Sequence, residues 1–153
     1  MSKLFAQIVF FLACPAIVIN AYADSISNSI VRNKDIELCV KKNGSIDSEC
    51  LSSVSKKTEN ELNQEYQNKL KEISSYDYSQ WWMGQKKQRE EMKESFIRSQ
   101  TLWDKYREEY CKSASTGGEG VDGYSLIVLS CQTNMAIRRI EEIKMVHPDL
   151  SDG

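Results

Sequence analysis

Four cysteines, Cys39, Cys50, Cys111 and Cys131, are the residues whose type and number most clearly promise chemistry, and that chemistry is oxidation to two disulfides. Zinc is the rival use of four thiols. No C-x-x-C spacing is present, however, and the single histidine, His147, stands near the C-terminus. The same shortage argues against catalysis. With one histidine, bridged cysteines and no G-x-S-x-G, neither a Ser/His nor a Cys/His pair is easily assembled. Gly117-Gly118-Glu119-Gly120 is not a phosphate loop, because an acid sits inside it and no Gly-Lys-Ser/Thr follows. Carboxylates are plentiful, but no spacing singles out a catalytic pair. The reading is a protein-binding protein rather than an enzyme, with no metal and no cofactor.

Two surface features are candidates for binding. Glu119 and Asp122 lie in a segment, Ser113 to Gly123, that holds four of the seven glycines. The segment is either an acidic recognition loop or a plain linker between helices. Trp81 and Trp82 stand together in Gln80-Trp81-Trp82-Met83-Gly84, as anchors of an interface or as staples onto the fold. The mixed charges from Lys86 to Glu94 read as a solvated helix face.

The chain of 153 residues is the size of one domain. Residues 1–23 read as a signal peptide: Lys3, an apolar run from Leu4 to Ile19, then Ala21-Tyr22-Ala23 as the cleavage site. The run of 16 residues carries Pro15 and is short for a bilayer core that needs about 20, so no stable membrane anchor is expected. A lipidated Cys14 is a lesser alternative, since cleavage there would leave Pro15-Ala16-Ile17-Val18-Ile19 as an apolar start. Lys3 is the only charge in residues 1–23, so its loss changes 20 cations and 22 anions to 19 and 22, a net of −3. That balance disfavours nucleic acid and permits a cationic partner. The expected location is periplasmic or secreted, where disulfides persist.

The elements that must position these residues are helices. Residues 24–37 read as a flexible polar leader, and Lys41-Lys42-Asn43-Gly44-Ser45 as a turn between Cys39 and Cys50. Leu51, Val54, Thr58, Leu62, Tyr66, Leu70 and Ile73 recur at helical steps, with Asp47 or Ser48 as cap. Ser74 to Ser79 ends or bends that helix. A second helix, from about Gln85 to Lys112, has Met92, Phe96, Gln100, Trp103, Tyr106 or Arg107, and Tyr110 along its stripe. A third runs from Tyr124 to about Val146, with Leu126, Leu129, Ala136, Ile140 and Ile143 on one side, stopped by His147-Pro148. The expected architecture is all-α: a small disulfide-stapled bundle of three main helices with a Gly-rich hairpin loop. Residues 38–147 form the domain and residues 148–153 a short tail. Two local bridges, Cys39–Cys50 and Cys111–Cys131, are the favoured pairing. The two other pairings would link the N-terminal turn to the helical hairpin, and the sequence leaves them open.

These residues carry a resemblance. Cys39-x10-Cys50, Leu62-Asn63-x-x-Tyr66, Ser99-Gln100-x-x-Trp103-x-x-Tyr106-Arg107-x-x-x-Cys111, the glycine loop, Cys131 and Arg139-Ile140-x-x-Ile143 follow in order. Together they resemble the LprI-like lysozyme-inhibitor family of small exported bacterial proteins, over about Leu38 to Ile143. The stretch from Tyr66 to Gln100, with Tyr76-Asp77-Tyr78-Ser79, is longer than the family's pattern by about ten residues. The resemblance implies a helical, disulfide-bridged envelope protein whose partner is a protein, a lysozyme or another peptidoglycan hydrolase. An immunity or accessory protein for another envelope enzyme, or a structural or stress protein of the envelope, would share these features. Within the motif, Tyr66, Trp103 and Tyr106 read as core, Arg107 and Arg139 as ion-pair formers that fix helix packing, and Gln100 as a hydrogen-bonding group across helices.

Overall fold

The computed structural model describes residues 30–31, 34–41, 44–80 and 84–148. Residues 1–23, read as a signal peptide, therefore lie outside the described residues, as do Trp81 and Trp82 and residues 149–153. The described chain is helical: α1 (Lys34–Glu37), α2 (Ser48–Ser75), α3 (Lys86–Ser115) and α4 (Tyr124–Lys144), with 3-10 turns at Tyr78–Gln80 and Thr116–Gly118. Among the described residues, none of these helices is long and apolar enough to cross a membrane.

The chain enters α2 through a tight hairpin. Val40 and Ile46 form an isolated antiparallel bridge, Lys41 N donates to Ser45 O at 2.7 Å, and Gly44 takes the left-handed conformation (φ +84°) that the turn requires. Cys39 and Cys50 close its base, with their Cα atoms 5.4 Å apart. Asp47 then caps α2: its Oδ1 accepts from the backbone N–H groups of Glu49 (3.1 Å) and Cys50 (3.0 Å), two of the donors that a helix start leaves without partners.

Serine chemistry ends α2. Ser74 Oγ and Ser75 Oγ donate back to the carbonyls of Leu70 (2.7 Å) and Glu72 (3.0 Å), and Tyr76 leaves the helix in extended geometry (ψ 133°). Asp77 accepts from Ser79 N at 3.0 Å, and Tyr78 O–H donates to Met92 Sδ at 2.9 Å. These contacts fold the Tyr76–Gln80 stretch back onto α3. At the start of α3, Gln88 Oε1 accepts from Gln85 N at 2.6 Å.

The core lies where α4 packs on α2 and, to a lesser extent, on α3. It combines Leu62 and Ile73 of α2, Phe96, Trp103 and Cys111 of α3, and Cys131, Met135, Ala136, Ile140 and Ile143 of α4. Tyr66 stacks on Phe96 with centroids 5.3 Å apart. Burying such side chains contributes roughly 1.5–3 kcal/mol each in area terms. The Cys111–Cys131 bridge, Cα atoms 5.5 Å apart, ties the end of α3 to the early turns of α4, so both bridges are local.

Three differences from the sequence reading have physical causes. Part of the expected leader belongs to the fold. Ile36 is 1 % exposed, Ile30 and Val31 pack on the core, and Asn134 Nδ2 donates to Ile30 O at 2.6 Å. The polar composition of residues 24–37 hid these aliphatic side chains. Tyr106 is not core but 53 % exposed. The inward seam of α3 runs Phe96, Trp103, Arg107 and Cys111, and Tyr106 leans on Tyr110 outside it (5.5 Å). Pro148, read as the first residue of a tail, is buried.

Candidate functional site

Two groups of sequence-chosen residues come together, in different places and for different reasons. The first is the aromatic–arginine cluster between α3 and its neighbours. Trp103, 8 % exposed, has the Arg107 guanidinium 4.7 Å and the Arg139 guanidinium 5.7 Å from its ring centroid. Arg107 Nη1 donates to Glu59 Oε1 of α2. Arg139 of α4 donates from Nε to Gln100 Oε1 (3.1 Å), from Nη2 to Ser99 Oγ (3.0 Å), and from Nη1 to Glu142 Oε2 (2.9 Å). Arg107 thus ties α3 to α2 through Glu59, and Arg139 ties α4 to α3 through Gln100 and Ser99 while its bond to Glu142 stays within α4. A polar notch of about 250 Å³ adjoins the cluster, with Glu59, Asn63, Tyr66, Gln100 and Asp104 on its walls. Gln100 Nε2 also donates to Asp104 Oδ1 at 3.3 Å, so both ends of the Gln100 amide are engaged.

The second group is the connection between α3 and α4. The 3-10 turn at Thr116–Gly118 is followed by successive backbone bonds, Glu119 N to Thr116 O (3.0 Å), Val121 N to Gly118 O (3.2 Å) and Tyr124 N to Val121 O (3.2 Å). Gly123 opens α4 at φ +87°. A Cβ on Gly118 would come 2.8 Å from Ile127 Cδ1, so the loop lies close on α4. Its backbone is therefore shaped by its own hydrogen bonds and by the bridge at its base, and it presents Glu119, Val121 and Asp122 to solvent. The loop is thus charged, exposed and tied at its base by the Cys111–Cys131 bridge.

Beside this loop is a groove that the sequence did not reveal, about 500 Å³ in volume. Val40 and Ile46 of the N-terminal hairpin form one wall, Leu126 and Ile127 of α4 the other, Ile36 the floor region and Asp122 the rim. In the sequence Val40 and Ile46 merely flank the run Lys41-Lys42-Asn43-Gly44-Ser45, which carries no periodic signal. Among the described residues, no group of three or more His, Cys, Asp or Glu side chains is placed to hold a metal ion. The groove and the loop beside it offer shape, charge and apolar surface.

A protein-family model described as Lysozyme inhibitor LprI matches residues 39–143. That span contains both bridges, the acidic loop and nearly all of the three long helices. No curated protein and no solved structure matches the chain.

Proposed function

The chain belongs to the LprI lysozyme-inhibitor family, and we propose that it is an exported protein that inhibits a lysozyme-type muramidase by binding it. The observation that carries this reading is the family match across residues 39–143, a span that contains both bridges. Export is supported by the basic, apolar and small-residue layout of residues 1–23 and by two bridges that need an oxidising compartment. The partner is a protein, and the chain acts by occupying a surface rather than by turning over a substrate.

In this reading the acidic loop is the part that meets the enzyme. A muramidase cleft works through two carboxylates, so an acidic loop gains nothing by entering it on charge alone. Glu119 and Asp122 instead face basic surface flanking the cleft, where opposite charge speeds encounter. Trp81 and Trp82 are proposed as further anchors, adjoining the Tyr76–Gln80 turn that folds onto α3.

The deciding experiment titrates the oxidised chain from Asp24 onward against lysozymes and other peptidoglycan hydrolases. Saturable inhibition of a muramidase supports the reading. Inhibition of a different hydrolase alone, or of nothing, overturns it.

A further inference from the structure

Resting on that reading, we propose that the groove between the N-terminal hairpin and the start of α4 is the anchor pocket of the inhibitory surface. Its occupant is one apolar side chain that projects from among lysines or arginines on the muramidase. Val40, Ile46, Leu126 and Ile127 are each only partly buried around about 500 Å³ of open space. Apolar walls left wet in this way are stabilised when a partner side chain displaces the water. The site is continuous with the acidic loop, because Asp122 belongs to both, and Glu119 stands three residues away along the same exposed turn. An incoming apolar side chain therefore meets negative charge at the rim, which selects a basic neighbourhood on the partner. Lys41, on the hairpin, is held by Asp47 at 3.2 Å, so its charge is already offset.

Both walls are fixed before binding. Cys39–Cys50 closes the hairpin that carries Val40 and Ile46, and Cys111–Cys131 pins the hairpin that carries Asp122, Leu126 and Ile127. A pocket whose walls are already ordered avoids the entropy that flexible loops lose on association. Loop charge and groove thus divide the work: the acids govern encounter, and the groove governs residence.

Leu126→Trp, which fills the groove from α4, tests this, with Ile46→Ser on the opposite wall as the second variant. Helicity and both bridges are verified first, and if Leu126→Trp does not fold, Ile46→Ser carries the test. The expected result with a lysozyme that the wild type inhibits is a weakening of about tenfold or more. It arises from faster dissociation, with association and its salt dependence unchanged. A folded variant that dissociates at the wild-type rate overturns the groove while leaving the inhibitor reading intact. A wild type that inhibits no muramidase overturns both. Self-association of the wild type that Leu126→Trp abolishes would mark a second copy as the occupant and would also overturn the proposal.

Discussion

Arg107 sits with its guanidinium 4.7 Å from the centre of the Trp103 ring while its Nη1 reaches across to Glu59 on α2. One side chain thereby joins two helices by two kinds of contact, stacking within α3 and an ion pair to α2. Arg107 is 19 % exposed and Glu59 42 % exposed at the side chain, so solvent weakens the ion pair more than the stacking. Arg107→Ala is expected to lower stability by about 1–2 kcal/mol. Glu59→Gln should cost less, because the stacking survives, and Arg107→Lys should recover only part of the loss. Urea denaturation checks the order of the three midpoints; a wild-type midpoint for Arg107→Ala would refute the role.

Replacing Cys111 and Cys131 together by serine removes a bridge that spans 20 positions of sequence. The expected destabilisation is a few kcal/mol, with the chain-entropy account giving about 3 kcal/mol for a loop of this order. The acidic loop should also lose its fixed base, so binding should fall even where the helices persist. Differential scanning calorimetry and binding titration of the same sample separate the two effects. An unchanged thermal midpoint would count against the bridge as a stabiliser.

Asp47 supplies an acid-sensitive step. The Cys50 N–H, followed by the Lys41 side chain, holds its carboxyl below the ordinary 3.8. A carboxyl with a depressed folded pKa contributes stability that is complete above its unfolded pKa. That contribution is lost as pH falls through the folded value. The cap of α2 should therefore be intact at neutral pH and weaken below about pH 4. Asp47→Asn keeps an acceptor at the cap but removes the titration, so its thermal midpoint should lie below wild type at pH 7 and converge with it on acidification. Parallel curves at both pH values would contradict this.

Glu119→Lys with Asp122→Lys should slow association with a basic muramidase and leave dissociation almost unchanged. The difference from wild type should shrink as salt rises through physiological strength, where screening acts over about 8 Å. Stopped-flow binding at two salt concentrations reads this directly. Equal association rates at low salt would remove the loop from the interface.

Much of the fold was legible because helices announce themselves twice, in apolar period and in caps. Asp47 before Leu51, and the serines after Ile73, bounded α2 to within about two residues. Ser55 and Lys69, both buried on α2, were not foreseen. A serine is small enough to sit against a neighbour, and Lys69 lays its stem inward while its Nζ meets Glu72 at 2.7 Å. Tyr106 and Arg107 were not resolved as alternatives because adjacent helical positions differ by only 100°, and burial was chosen by what Glu59 offered on α2. The groove was least legible of all. It depends on how the Val40–Ile46 hairpin lies against Leu126 and Ile127, some eighty residues away in sequence, and no local pattern encodes that meeting.

The two bridges differ in a way that bears on redox lifetime. Cys111 and Cys131 are both fully buried at 0 % exposure, whereas Cys50 is only partly covered although Cys39 is 2 % exposed. A thiolate must reach a sulfur to exchange with it, so the hairpin bridge, with the thinner cover over Cys50, is expected to be reduced first, and the helical bridge only after the bundle opens. Reduction therefore proceeds in sequence. The species that accumulates first keeps α3 joined to α4 while the Val40–Ile46 wall is released, and the rate of the second step is a clock for the opening of the core.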